Sequence, residues 1–174
     1  MTNTPKTLTG EEANFFPVNG QPAPGPVDTT LVNMNEVVQH HLLSRRTQLE
    51  AMQVIIRFDA LPHISGSRED VSALLSHVFN SILESPPGGT KLFIYIRCEK
   101  DKSEVMDLSL PEGFQQYCIL VYTNIVADEA WQLVQQPVLT DMQQRTTCLN
   151  GSFTHYSITK TGCLYQLVLP GKLL

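Results

Sequence analysis

The sequence predicts an α+β fold, a two-layer α/β sandwich in which helices lie on one face of a mixed sheet. Hydrophobic residues make up 42% of the 174 residues and charged residues 17%, so the chain can build one core of ordinary size. The local patterns follow the order α-β-α-β-β-β-α-α-β-β, which has too few β-α-β units for a doubly wound parallel sheet. A mixed sheet with its helices on one face accommodates this order better.

Residues 1–30 are expected to form a flexible tail that is rich in proline and glycine, and residues 31–174 to form the domain. The only aromatic pair of the tail is Phe15–Phe16. A disordered linker is the first interpretation. The second is an extended arm whose two phenylalanines dock on the domain or on a partner.

The domain is predicted to begin with an amphipathic helix over residues 34–52. Its apolar residues fall on one helical stripe, which comprises Met34, Val38, Leu42, Leu49 and Met52. Residues 54–58 are few and β-branched, which predicts a strand, and residues 61–66 are predicted to form a connection. Arg45 and Arg46 are assigned to solvent.

The clearest helix is predicted over residues 67–84. Ser67 and Asp70 can form a capping box at its start. Its apolar residues recur at helical spacing, and they are Val71, Leu74, Leu75, Val78 and Ile82. The polar residues predicted on the opposite side, within about 100° of arc, are His77, Asn80, Ser81 and Glu84. These four form either a solvated helix face or a pocket for a small ligand, and residues 85–89 end the helix.

The second half of the chain alternates between strands and helices. Strands are predicted over 91–99, 104–110 and 117–123, and helices over 127–135 and 139–148. Residues 152–159 and 163–170, joined by 160–162, predict an antiparallel hairpin.

Charge and hydropathy exclude several classes of partner. The net charge is −5, whereas a general nucleic-acid binder needs a basic patch to displace counterions. No apolar run approaches the roughly 20 residues of a membrane span, and the first ten residues lack the apolar core of a signal peptide. A cytoplasmic protein is therefore expected, with neither nucleic acid nor membrane as a partner.

Neither a metal site nor a redox pair is predicted. The four cysteines lie at least 15 residues apart and form no Cys-x-x-Cys motif, so they are expected to be reduced thiols that pack as small apolar groups. The five histidines show no spacing typical of metal ligands.

Five strings, in order, resemble the ATP-binding domain of bacterial sensor histidine kinases, whose fold is shared with DNA gyrase and MutL. They are VNMNEVV (32–38), LPHISG (61–66), LESPPGG (83–89), NGSF (150–153) and GCLYQLVLP (162–170). The resemblance extends over residues 31–170 and implies the two-layer sandwich predicted above.

The resemblance also implies a site for ATP and Mg²⁺, and the sequence departs from it in the first motif. The family carries two asparagines four residues apart on the 67–84 helix, and the later one ligates Mg²⁺. Counting forward from Gly66 places them at His77 and Ser81, whereas counting back from residues 86–89 places the later one at Asn80. The helix carries a single asparagine, Asn80, so the pair is missing in either register, and the imidazole and hydroxyl of the forward register are a poor ligand set for Mg²⁺.

Two further motifs of the family are altered. In its Asp-x-Gly-x-Gly motif the aspartate accepts a hydrogen bond from adenine, and the aligned positions here are Thr123, Ile125 and Ala127. Loss of such a charged acceptor costs about 1.5–3 kcal/mol. The glycine-rich lid is also missing, because no glycine occurs between residues 135 and 148. Trp131, near the expected lid, could fill the pocket or anchor a partner.

These departures imply a degenerate histidine-kinase-type ATPase domain, a pseudokinase whose vestigial nucleotide pocket comprises His77, Asn80, Ser81 and Thr123. The expected function is a non-catalytic module of a two-component system that binds another signalling protein and needs no cofactor. The alternative is a divergent kinase domain that still binds ATP and Mg²⁺ and supports phosphoryl transfer to a histidine on a separate chain. A homodimer is one option for its assembly.

Overall fold

A computed structural model of the chain describes residues 30–84, 91–100, 110–126, 129–158 and 162–173. Several predictions lie outside these residues: the tail, the 85–89 turn, nearly all of the 104–110 strand and most of the turn of the closing hairpin.

Within the described ranges, seven strands form one mixed sheet. The strands are β1 (Leu31–Asn33), β2 (Ile55–Phe58), β3 (His63–Ser65), β4 (Phe93–Lys100), β5 (Gln115–Thr123), β6 (Ser152–Ile158) and β7 (Gly162–Lys172). Their order is β1-β3-β7-β5-β4-β2, and β6 also pairs with β7. The β2–β4 pair is parallel and the other described pairs are antiparallel, which confirms the predicted mixed sheet.

The described helices are α1 (Met34–Ser44), α2 (Arg46–Ala51), α3 (Arg68–Leu83) and α4 (Glu129–Cys148). Side chains alternate across a strand, so every second residue of β7 faces the same side. On the side that faces the core these residues are all fully buried, and they are Cys163, Tyr165, Leu167 and Leu169. The five predicted apolar residues of α3 are likewise at most 1% exposed. The predicted two-layer arrangement is therefore confirmed.

The start of α3 is set by its N-cap. The Oγ of Ser67 accepts a hydrogen bond from the backbone N–H of Asp70 at 3.0 Å, and the Ser67 hydroxyl donates to the Asp70 carboxylate. Such a cap satisfies a backbone donor that the first helical turn leaves free. The predicted capping pair is confirmed.

The structure corrects three element boundaries. The single helix predicted over 34–52 is divided at Arg45, whose ψ of 11° leaves the α region. The connection predicted over 61–66 contains β3, a strand too short to show an alternating pattern. The two helices predicted near the end of the chain form one helix, α4, that continues through Pro137.

Pro137 is tolerated within α4 because of its place on the helix. Proline removes a backbone donor and leaves the carbonyl four residues earlier, that of Leu133, without its helical partner. The Leu133 side chain is 77% exposed, so this carbonyl lies on the side of the helix that water reaches. No helix in the described ranges is both long and apolar enough to cross a membrane.

Candidate functional site

The candidate site comprises the polar residues of α3 with their partners on α1, α4 and β7, together with Thr123 at the end of β5. α3 contacts α1 on one side and α4 on the other, while its apolar stripe faces the sheet. Its polar residues can therefore reach three different neighbours. His77 contacts α4, Asn80 contacts Arg45 at the end of α1, and Ser81 contacts β7 of the sheet.

His77 joins α3 to α4. Its Nε2 lies 3.0 Å from Oδ2 of Asp141, and both side chains are about one-third exposed. The same Asp141 oxygen accepts a hydrogen bond from Nε of Arg145 at 2.7 Å. His77 is thus held by a carboxylate in a solvent-accessible clasp between two helices.

Ser81 is fully buried and points towards the sheet. Its Oγ lies 3.0 Å from the phenolic oxygen of Tyr165 on β7. Burial raises the pKa of Tyr165, so this residue remains a neutral phenol. The expected polar side of the helix therefore does not include Ser81.

Asn80 is bound by an arginine of the first helical region. Nη2 of Arg45 donates to Oδ1 of Asn80 at 2.6 Å and to Oγ of Ser76 at 3.0 Å. The assignment of Arg45 to solvent was wrong, since its side chain is partly buried between α1 and α3.

His41 completes this cluster. Its Nδ1 accepts a hydrogen bond from Nη1 of Arg45 at 3.0 Å, and its Nε2 lies 3.0 Å from the carbonyl oxygen of Ser72. The proton of the neutral ring must therefore lie on Nε2. Burial lowers the pKa of His41, and the neighbouring Arg45 cation lowers it further.

Thr123 lies at the end of β5 and is fully buried. Its Oγ1 has no hydrogen-bond partner among the described residues. A Cβ atom on Gly162, which has a φ of +151°, would lie 2.0 Å from the carbonyl oxygen of Thr123. The start of β7 therefore packs directly against the backbone of Thr123.

The first turns of α4 lie over β6. The rings of Trp131 and His155 stack with centroids 5.4 Å apart, and His155 also contacts Tyr165 at 5.0 Å. Trp131 is only 8% exposed, so its ring belongs to the buried core between α4 and β6. Gln135, one turn later, is buried as well, and its Oε1 has no partner among the described residues.

Comparison with solved structures identifies the fold. The alignment with Acinetobacter baumannii histidine kinase AdeS covers 80% of this chain and 66% of the AdeS chain, with a TM-score of 0.61 and 10% sequence identity. The alignment with the mycobacterial sensor histidine kinase MprB covers 83% of this chain and 99% of the MprB chain, with a TM-score of 0.61 and 13% identity. The alignment with histidine kinase ThkA, in complex with the response regulator TrrA, covers 82% of this chain and 42% of the ThkA chain, with a TM-score of 0.54 and 12% identity. The chain has the histidine-kinase ATPase fold.

The histidine-kinase ATPase fold is the full extent of this likeness. No protein-family model matches the sequence, and no curated protein sequence matches it. The chain spans just under two thirds of the AdeS structure. The residues of the site must therefore be judged by their own chemistry.

A histidine-kinase ATPase fold implies ATP and Mg²⁺, and the described side chains do not fit the ion. Mg²⁺ prefers oxygen ligands. His77 offers only ring nitrogens, the hydroxyl of Ser81 is engaged with Tyr165, and Oδ1 of Asn80 already accepts a hydrogen bond from a cation. In the part of the chain that the structure describes, no three His, Cys, Asp or Glu side chains converge as metal ligands do.

Sequence reasoning missed two parts of this site. Ser81 lies seven residues after Leu74, and this spacing places the two side chains about 20° apart on the helix. That signal could have predicted the burial of Ser81. Arg45 carried no such signal, because its partners Ser76 and Asn80 lie 31 and 35 residues away.

Proposed function

We propose that this domain is a non-catalytic protein-interaction module of a two-component-type signalling pathway, with a nucleotide site that no longer holds ATP and Mg²⁺. The observation that carries the proposal is the hydrogen bond from Arg45 to Asn80. The only asparagine in the metal-ligand positions is engaged by a cation of the same chain at 2.6 Å. A divalent ion would have to displace that cation.

The other α3 positions add to this argument. In the alternative register, Ser81 is the later position, and its hydroxyl is fully buried against Tyr165. His77 is turned towards Asp141 of α4. Both side chains would have to leave these partners to reach a phosphate or a metal ion.

The end of β5 weakens purine recognition. Thr123 replaces a carboxylate acceptor with a neutral hydroxyl, and charge-assisted hydrogen bonds contribute about 1.5–3 kcal/mol. That range corresponds to about 10- to 150-fold in affinity. The next buried residue, Ile125, adds a branched side chain where the family has glycine.

The segment in which the resemblance expects the glycine-rich lid, residues 135–148, lies within α4. A glycine-rich turn at a helix start presents free backbone N–H groups to phosphates. Residues 135–148 contain no glycine and continue a helix that has already begun at Glu129. They therefore do not supply such a turn.

A protein partner is supported by the surface and by one neighbour. Leu133 and Val134 of α4 are 77% and 71% exposed, and Val126, just before α4, is 54% exposed. Exposed apolar groups of this kind are typical of protein contacts when they cluster. ThkA, which shares the fold, is known in complex with a response regulator, so a partner from the same kind of pathway is the natural candidate.

Isothermal titration calorimetry with ATP and Mg²⁺ tests the proposal, with MprB as the positive control. We expect no saturable heat for this protein at submillimolar nucleotide. A Thr123→Asp variant, which restores the missing carboxylate, is titrated with ATP and Mg²⁺ in the same way for comparison with the unmodified protein. Saturable, Mg²⁺-dependent binding by the unmodified protein would overturn the proposal.

The alternative function, a divergent kinase domain that still binds ATP and Mg²⁺, is favoured by one observation. The buried polar atoms Thr123 Oγ1 and Gln135 Oε1 have no partner among the described residues, and buried polar atoms are normally hydrogen bonded. A purine edge could supply such partners. Transfer of labelled phosphate from ATP to a histidine on a separate helical hairpin would establish this alternative.

A further inference from the structure

We propose that Arg45 is a permanent internal cation at the junction of α1 and α3, and that it takes the oxygen acceptors that a bound metal ion would need. We define the α1–α3 junction by five residues, which are His41, Arg45, Ser72, Ser76 and Asn80. The proposal rests on the geometry of this junction, and it also gives a physical reason for the proposed loss of metal binding.

The first argument is the spacing of the acceptors. Ser76 and Asn80 are four residues apart, so they lie on one face of α3, one turn from each other. The resemblance assigns two metal-site asparagines with this spacing, and Asn80 is the later position in one of the two registers. Nη2 of Arg45 donates to both side chains at once. One guanidinium nitrogen thus occupies the place where a cation could reach both oxygens.

The second argument is the charge balance around Arg45. No carboxylate pairs with Arg45 in the described ranges, although Arg46, its neighbour, forms an exposed ion pair with Glu50. The described acceptors of the Arg45 guanidinium are His41, Ser76 and Asn80, and all three are neutral. A partly buried cation needs a compensating negative potential.

The carboxyl end of α3 supplies this potential. Asn80 lies in the last turn of α3, which has no basic residue of its own there. The carboxyl end of a helix carries a partial negative charge. At the backbone of Arg45 the end of α1 and the start of α2 offset each other, but its guanidinium reaches α3. Arg45 therefore provides the cation that the end of α3 lacks, which makes the junction a cation site that the chain itself fills.

His41 orients the cation. It offers an unprotonated Nδ1 to Arg45 because its Nε2–H is directed at the Ser72 carbonyl. A second positive charge on this ring would lie 3.0 Å from the guanidinium. The neutral tautomer thus helps to hold Arg45 on Ser76 and Asn80.

Thermal unfolding of matched variants, without nucleotide, tests the proposal. We expect Arg45→Gln to lower the unfolding midpoint by about 5 °C, since the loss of the hydrogen bonds of a partly buried cation shifts the midpoint by several degrees at this chain length. Arg46→Gln, one residue along and exposed, is the control and should leave the midpoint unchanged. Mg²⁺ alone, at about 10 mM, should not shift the midpoint of the unmodified protein.

Asn80→Asp distinguishes an arginine site from a metal site even if Arg45→Gln fails to fold. With Arg45 present, the new carboxylate gains a charged partner, so the midpoint should rise by about 2 °C with or without Mg²⁺. In the Arg45→Gln background the same carboxylate lies unpaired at a helix carboxyl end, so it should lower the midpoint.

Three results would overturn the proposal. They are equal unfolding midpoints for Arg45→Gln and Arg46→Gln, a higher midpoint of the unmodified protein with Mg²⁺ alone, or a higher midpoint of Asn80→Asp only when Mg²⁺ is present. These outcomes are independent of nucleotide. ATP binding in the calorimeter would contradict the proposed function, whereas these measurements bear on Arg45 itself.

Discussion

Lowering the pH should destabilise the domain through His155, whose ring is packed between Trp131 and Tyr165. Burial lowers the pKa of His155 from 6.5 to about 4, and its buried Nε2 has no hydrogen-bond partner in the described ranges. The unfolded chain therefore binds a proton at a higher pH than the folded domain. The contribution of His155 is complete above pH 6.5 and is lost as the pH falls towards 4.

The magnitude follows from the size of the shift. One pKa unit corresponds to about 1.36 kcal/mol, so a shift from 6.5 to about 4 gives an upper value of about 3 kcal/mol. The ring is only partly buried, so solvent screening reduces this to about 2 kcal/mol. The loss should occur over the range between these two pKa values.

The assay is urea unfolding followed by circular dichroism at pH 7 and at pH 4.5, with His155→Phe as the matched variant. Circular dichroism avoids the direct effect of the charged imidazole on Trp131 fluorescence. The free energy of unfolding should fall by about 2 kcal/mol more in the unmodified protein than in His155→Phe. An equal fall in both proteins would refute the reasoning, because acidic groups and the lowered pKa of His41 contribute to both.

Three further predictions concern the region around α3. Ser81→Ala should lower the free energy of unfolding by about 1–3 kcal/mol, because the Tyr165 hydroxyl stays buried and loses its partner Ser81. In a double-mutant cycle with Tyr165→Phe, most of this loss should appear as coupling energy between the two residues, and purely additive effects would contradict the hydrogen bond. Thr123→Val should leave the free energy of unfolding unchanged or raise it by about 1 kcal/mol, and a clear loss in urea unfolding would mean that the hydroxyl is hydrogen bonded. Asp141→Asn should cost less than about 1 kcal/mol, because its pair with His77 is solvent-accessible, and a larger loss in thermal unfolding would show a stronger clasp.

The sequence was sufficient for elements with a strong local period. The apolar residues of α3 recur at helical spacing, and every one of them is buried as that spacing requires. The closing hairpin, β6 and β7, also follows its alternating pattern. Such patterns depend only on neighbours in the chain, so they can be recognised without the fold.

The short strands and the helix through Pro137 could not be predicted in this way. β1 and β3 have three residues each, which is too few for an alternating pattern, and they exist because they pair with each other and β3 with β7. Pro137 predicts a helix boundary by local rules, but its exposed position lets water take the free carbonyl. Tertiary contacts decide both cases.

The candidate site was predictable only as a set of altered motifs. The resemblance to histidine-kinase ATPase domains assigned His77, Asn80, Ser81 and Thr123 to a nucleotide pocket, but the partners of the first three come from distant segments of the chain. Tyr165, for example, lies 84 residues after Ser81. Hydrogen bonds over such separations leave no periodic signal in one sequence.

A crystal structure of the protein grown with Mn²⁺ and a non-hydrolysable ATP analogue tests the central claim most directly. Manganese scatters anomalously and accepts the same oxygen ligands as magnesium. The account predicts Nη2 of Arg45 within hydrogen-bond distance of Oδ1 of Asn80 and no anomalous peak beside α3. An anomalous peak ligated by Asn80, with phosphate density next to it and Arg45 displaced, would contradict it.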